Sequence, residues 1–193
     1  MMMGMNQVDR ATLLPACAAS WNLSNGKRFG SKYLPARRIP RRTYQSSDGY
    51  FVVEPPLGWL QRRHDTSNEV TFAKGKISVS IATVNRDPGD SVEKFIEFKK
   101  SMMRHLCPAG KIWEEGRTMV AGAPGAFFTF YCPNSHTCIH VAASLNCGRF
   151  FVFKIGAPNE ESPAAEAEIA RIAQSFKPGE ASMEECEPLQ RAS

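Results

Sequence analysis

Three kinds of apolar pattern follow one another along the chain. Tyr50 to Val53 is a short apolar run, and Pro55-Pro56-Leu57-Gly58-Trp59 after it predicts a turn. Glu69 to Phe72 predicts a second short strand, closed by a turn at Lys74-Gly75-Lys76. Ile77, Val79 and Ile81 then alternate with Ser78, Ser80 and Ala82, the period of two of a half-buried strand. At Asp90 the period changes. Val92, Phe95, Ile96, Met102, Met103 and Leu106 recur at helical spacing, with Asp90 expected at the N-cap, Glu93 three residues on, and Cys107-Pro108-Ala109-Gly110 as the stop. Both methionines are expected in the core.

Beyond the helix the chain returns to strands, several of them rich in aromatics. Lys111 to Glu115 and Arg117 to Val120 predict two short strands, and Gly122-Ala123-Pro124-Gly125 a turn before Ala126 to Tyr131. Thr137 to Leu145 and Arg149 to Ile155 follow, with Asn146-Cys147-Gly148 expected as a three-residue loop. That loop would set Ile139, Val141 and Ala143 on one face with Phe151, Phe153 and Ile155, and leave Phe150 and Val152 on the other. A five-residue loop from Pro133 to Thr137 would put Cys132 opposite Cys138 and align Phe127, Thr129 and Tyr131 with the Ile139 face. A second helix is expected from Ser162 (N-cap) and Pro163, with Ala165, Ile169, Ile172, Ala173 and Phe176 as its stripe and Pro178-Gly179 as its end. A sheet apolar on both sides needs cover on both sides. The fold class expected is α+β: a mainly antiparallel sheet flanked by two amphipathic helices, an α/β/α sandwich.

Charge separates this domain from what precedes it. The net charge of the chain is +5, but eight Lys or Arg against Asp9 alone place +7 before Asp48 and leave −2 for everything after it. Residues 1–46 are therefore expected to be a disordered basic leader or targeting segment, 47–178 the domain, and 179–193 a mobile acidic tail. Leu13-Leu14-Pro15-Ala16-Cys17 is similar to the end of a lipoprotein signal, although Asp9 and Arg10 interrupt its apolar stretch; the Arg-rich composition also suits a transit peptide. Peripheral membrane association is expected to run through this leader. A nearly neutral domain is not expected to bind nucleic acid. No stretch approaches the length of a membrane-crossing helix.

Several local motifs in this order resemble the PsbP-like superfamily. They are Gly49-Tyr50-Phe51-Val52-Val53-Glu54-Pro55-Pro56-Leu57-Gly58-Trp59, Asp90-Ser91-Val92-Glu93-Lys94-Phe95 opening the first helix, Gly148-Arg149-Phe150-Phe151-Val152-Phe153, and Ile172-Ala173-Gln174-Ser175-Phe176. The superfamily includes photosystem II subunit PsbP, a nuclear-import factor that binds a small GTPase, bacterial DcrB-like lipoproteins and secretion-effector chaperones. The resemblance implies an α/β/α sandwich with a non-enzymatic binding or assembly role.

The chemical inventory agrees with that implication. The chain has no Gly-x-Ser-x-Gly elbow, phosphate loop, His-Glu-x-x-His or Cys-x-x-Cys. Pro124 in Gly122–Gly125 lacks the N–H a phosphate cradle needs, and His64-Asp65 beside Arg62 and Arg63 suits a solvated charge cluster. Cys132, His136, Cys138 and His140 form the one grouping with metal-ligand chemistry. Zinc, a Cys132–Cys138 cross-strand disulfide and free thiols all remain open there. No cofactor is expected. The expectation is a non-catalytic accessory protein, extracytoplasmic or membrane-associated, that meets an unknown protein partner near Trp59 and Trp113 unless both are core. The alternatives are a metal-dependent enzyme using the Cys/His grouping and a cytosolic secretion-effector chaperone.

Overall fold

The computed structural model describes residues 37–38, 43–63, 68–158 and 163–183. Its strands are β1 (Arg37–Arg38), β2 (Tyr44–Gln45), β3 (Phe51–Val53), β4 (Leu60–Arg63), β5 (Glu69–Lys74), β6 (Ile77–Asn85), β7 (Lys111–Val120), β8 (Ala123–Cys132), β9 (Thr137–Asn146), β10 (Arg149–Pro158) and β11 (Lys177–Pro178). The helices are α1 (Val92–Leu106) and α2 (Pro163–Ser175). Eight strands form one antiparallel sheet in the order β1-β4-β5-β6-β10-β9-β8-β7, and β11-β3-β2 form a small second sheet.

Alternation along each strand divides the sheet's side chains into two cores. Val70, Phe72, Val79, Ile81, Phe127, Ala142, Phe151 and Phe153 pack with Ile169, Ile172 and Phe176 at α2, and with Tyr44, Phe51 and Val53 of the small sheet. Phe128, Phe130, Ile139, Val141, Phe150 and Val152 pack on the other side against Ile96, Met103 and Cys107 at α1. The expected three-layer α/β/α sandwich is what forms.

The hairpin registers differ from the expected ones, and for one reason. Asn146 pairs with Arg149, so the loop is Cys147-Gly148, two residues with φ of 51° and 73°, the geometry that follows the right-handed twist of paired strands. Ile139 and Val141 therefore share the α1 face with Phe150 and Val152, not with Phe151 and Phe153. Likewise Cys132 pairs with Thr137 around a one-turn 3-10 helix (Pro133–Ser135), and Phe130 faces Ile139. Phe127, Thr129 and Tyr131 lie on the α2 side. The turn expected at Gly122–Gly125 is likewise shorter: Val120 pairs with Ala123 around Ala121-Gly122, and Ala123 to Gly125 belong to β8. Lys111 to Val120 is one strand with a bulge between Ile112 and Glu114 rather than two.

In α1 the N-cap is Ser91, whose hydroxyl accepts from the Lys94 N–H at 3.3 Å, not Asp90. Ile96 and Met103 are buried, but Met102 and Leu106, expected in the core stripe, are exposed. The domain also extends past both expected boundaries. Tyr44 and Ser46 are buried, β1 pairs with β4, and Gly179 donates its N–H to the Tyr50 carbonyl before a helical turn at Glu180–Met183. The basic leader up to 36, the Cys17 lipidation motif, the His64-Asp65 pair, the Ser162 cap and the tail from 184 lie outside the described residues.

Candidate interaction surface

The Cys/His grouping is not a site. Successive residues of a strand point to opposite faces, so Cys132 and Cys138, at non-equivalent register positions, lie on opposite faces of the sheet. The expected Cys132–Cys138 bridge does not form. Cys132 instead bonds Cys107 at the C-cap of α1, with the Cα atoms 6.1 Å apart. Sequence phase missed this because Cys107 lies in another element. Cys138 and Cys147 are also disulfide-bonded, so no thiolate remains for zinc, and among the described residues no set of three His, Cys, Asp or Glu could hold a metal. His136 is exposed in the turn. His140 is buried on the α2 side, stacked on Phe127, with Nδ1 3.1 Å from the Thr129 hydroxyl. Burial pushes its pKa down to about 4, so the ring is neutral at ordinary pH.

The two candidate tryptophans part company. Trp59 is fully buried and is not a partner surface; its Nε1–H donates to Glu168 at 2.8 Å. Glu168 is held below the usual carboxylate range, first by Lys74, 2.9 Å away, and then by Trp59 itself. Together they pin α2 over the β4–β5 end of the sheet. Trp113 is 43% exposed. It sits at the β7 bulge and stacks on Tyr131 with ring centroids 4.7 Å apart, on the side of the sheet away from α1. A bulge re-aims the side chain beside it, and here it turns an aromatic outward. β7 ends the eight-stranded sheet among the described residues, so its outer backbone groups lie at an edge.

Charge is distributed unevenly around α1. Lys100 is buried, and Glu97 and Glu115 lie 2.6 and 2.5 Å from its ammonium. Burial alone would lower its pKa, but the hydrogen bonds it donates to Glu115 and Glu97 outweigh that and raise it. Glu93 pairs with Arg117 at 2.6 Å. Glu93 thus reaches β7, while Glu97 shares Lys100 with Glu115 of β7. The opposite flank shows Phe98 (59% exposed), Met102 (38%) and Leu106 (53%). Lys99 lies over the rings of Phe95 and Phe98, 5.1 and 5.8 Å from their centroids.

An open cleft of about 330 Å³ lies between β3 and α2, lined by Thr43, Glu54, Arg171, Gln174 and Lys177. Ser175 at its edge is engaged by the Glu54 N–H at 2.9 Å, and the charges there belong to both signs.

No protein-family model matches the chain, and no curated protein matches it in sequence. The solution structure of cyanobacterial PsbP (CyanoP) from Synechocystis sp. PCC 6803 superposes with a TM-score of 0.55 at 10% identity, covering 70% of this chain and 91% of that one. A mutant of the protein Mog1 gives a TM-score of 0.50 at 10% identity, over 78% of this chain and 99% of that one. The Saccharomyces cerevisiae Ran-binding protein Mog1p gives 0.47 at 11% identity, over 74% and 94%. The chain has the PsbP-like fold, as its sequence motifs implied.

Proposed function

We propose that the chain is a non-catalytic accessory protein that binds another protein through the β7 edge around Trp113. The observation that carries this is an exposed tryptophan, stacked and aimed outward on a sheet edge. Partly exposed aromatics anchor interfaces, and an open edge strand can take an extended segment of a partner as one more strand. The fold is shared with CyanoP and Mog1, and the Cys/His grouping that favoured an enzyme is dispersed, its cysteines disulfide-bonded, His140 in the core and His136 alone in the turn.

The compartment we propose is an oxidising one, outside the cytosol. Cys107, Cys132, Cys138 and Cys147 are all disulfide-bonded, and cytosolic thiols are kept reduced. This speaks against the cytosolic effector chaperone. The test is quantitative co-purification from the native cells with the full chain and with Trp113→Asp. Loss of a partner by at least fivefold, at an unchanged melting temperature, is the expected result. An identical set of partners for both proteins would end this reading.

A further inference from the structure

We propose that the outer flank of α1 docks on an anionic lipid surface, with Phe98, Met102 and Leu106 entering the headgroup region between Lys94 and Lys99. The three apolar residues are spaced at i, i+4 and i+8, so they form one line about 12 Å long down the helix. All three are exposed, and Val84, 40% exposed, extends the apolar surface onto β6 beside the stacked pair Phe95–Phe150. Isolated exposed apolar residues are ordinary. A run of them along one helix flank is not, and here it lies on a helix whose β7 side is occupied by the Glu93–Arg117 and Lys100–Glu115 pairs.

Charge selects the occupant. Glu93 pairs with Arg117 and Glu97 with Lys100, so the residues of α1 beside the apolar line are Lys94, the half-buried Lys99 and His105, with Glu69 of β5 the acid near Lys99. Lys154, 3.8 Å from Glu69, adds a second cation beside Lys99, whose pKa is lowered first by burial and then by Lys154, with Glu69 opposing both. An apolar line on a convex ridge, flanked by lysines, suits a flat layer of acidic headgroups over acyl chains. A protein helix would instead seek a groove with two walls.

This surface lies across the sheet from Trp113, so it stands or falls apart from the protein-partner reading. The experiment is co-sedimentation of the full chain with vesicles of phosphatidylcholine alone and with one quarter phosphatidylglycerol. Binding to the mixed vesicles at 50 mM salt is expected, at least tenfold above neutral ones, and weakened at 300 mM. The Phe98→Asp/Leu106→Asp variant should lose at least tenfold while melting at the wild-type temperature. If that variant melts lower, Lys94→Gln/Lys99→Gln supplies the check: it keeps the apolar line and should lose the preference for anionic vesicles. Equal binding by wild type and variants would assign the lipid affinity elsewhere, such as the basic leader, and overturn the proposal. So would absence of vesicle binding, or a concentration-dependent dimer abolished by Phe98→Asp/Leu106→Asp in a protein that ignores vesicles.

Discussion

His140 shows how completely one side chain's behaviour depends on where the sheet puts it. Read from the sequence it was a candidate ligand; in the fold it is a neutral ring between Phe127 and Thr129. Its pKa falls from the ordinary 6.5 to about 4 on folding. Between those values the unfolded chain binds a proton that the native protein refuses, so stability falls as pH falls. The loss should reach about 2 kcal/mol at pH 5, from one and a half pH steps below 6.5. Glu168, held below the ordinary carboxylate range, loses its contribution only at lower pH. Denaturant melts of wild type and His140→Gln at pH 7 and pH 5 check this: the pH 7 to 5 difference should largely vanish in the variant, and an equal difference in both would be evidence against it. Gly125 makes the complementary point about space. A Cβ there would lie 2.2 Å from the Ala143 carbonyl oxygen, a closeness only glycine permits. Its place in a strand was hidden by Pro124, which reads as turn chemistry.

At the level of elements, what the sequence disclosed follows from how one-sided each element is. α1 was legible because the polar and apolar flanks differ, and even its N-cap was missed by only one residue, Asp90 for Ser91, both good capping types. β8, β9 and β10 were legible as strands but not in phase. Phe127 and Phe128, or Phe150 and Phe151, are equally apolar neighbours buried on opposite faces, so a shift of one residue changes little in the pattern. Loop length then decided the register, and both loops are shorter than the sequence suggested. The Cys107–Cys132 bridge was beyond reach for the same reason, since it needs the face of Cys132 to be known. It closes a loop of 25 residues between α1 and β8. Replacing both cysteines by serine should cost about 3 kcal/mol. Chemical denaturation of the variant measures it, and a loss under about 1 kcal/mol would show that packing of α1 alone holds the helix on the sheet.

Taken as a whole molecule, the sandwich is larger than the 47–178 expected. The basic composition of the segment before Asp48 concealed β2, two residues long, in which Tyr44 packs edge-on to Phe72 and 5.9 Å from Phe51. Of the two tryptophans the sequence singles out, Trp113 is exposed, and Trp59 is core because Glu168, distant in sequence, supplies its polar partner. A chain starting at Thr43 and one starting at Ser47 differ by Tyr44 and the strand that carries it. The shorter should be less stable by roughly 3 kcal/mol, the order expected for losing a buried aromatic. Thermal melts of the two decide it, and equal stability would return Tyr44 to the leader. Oxidation, finally, gives this protein a way to verify its own assembly. The pairing of β8 with its neighbours is only weakly dictated by side-chain pattern, yet a slip of one residue would carry Cys132 through the sheet, out of range of Cys107. Only correctly aligned chains can close that bond; a chain slipped by one residue sets Cys132 opposite Cys138 instead and leaves Cys107, and with it the end of α1, unfastened from β8.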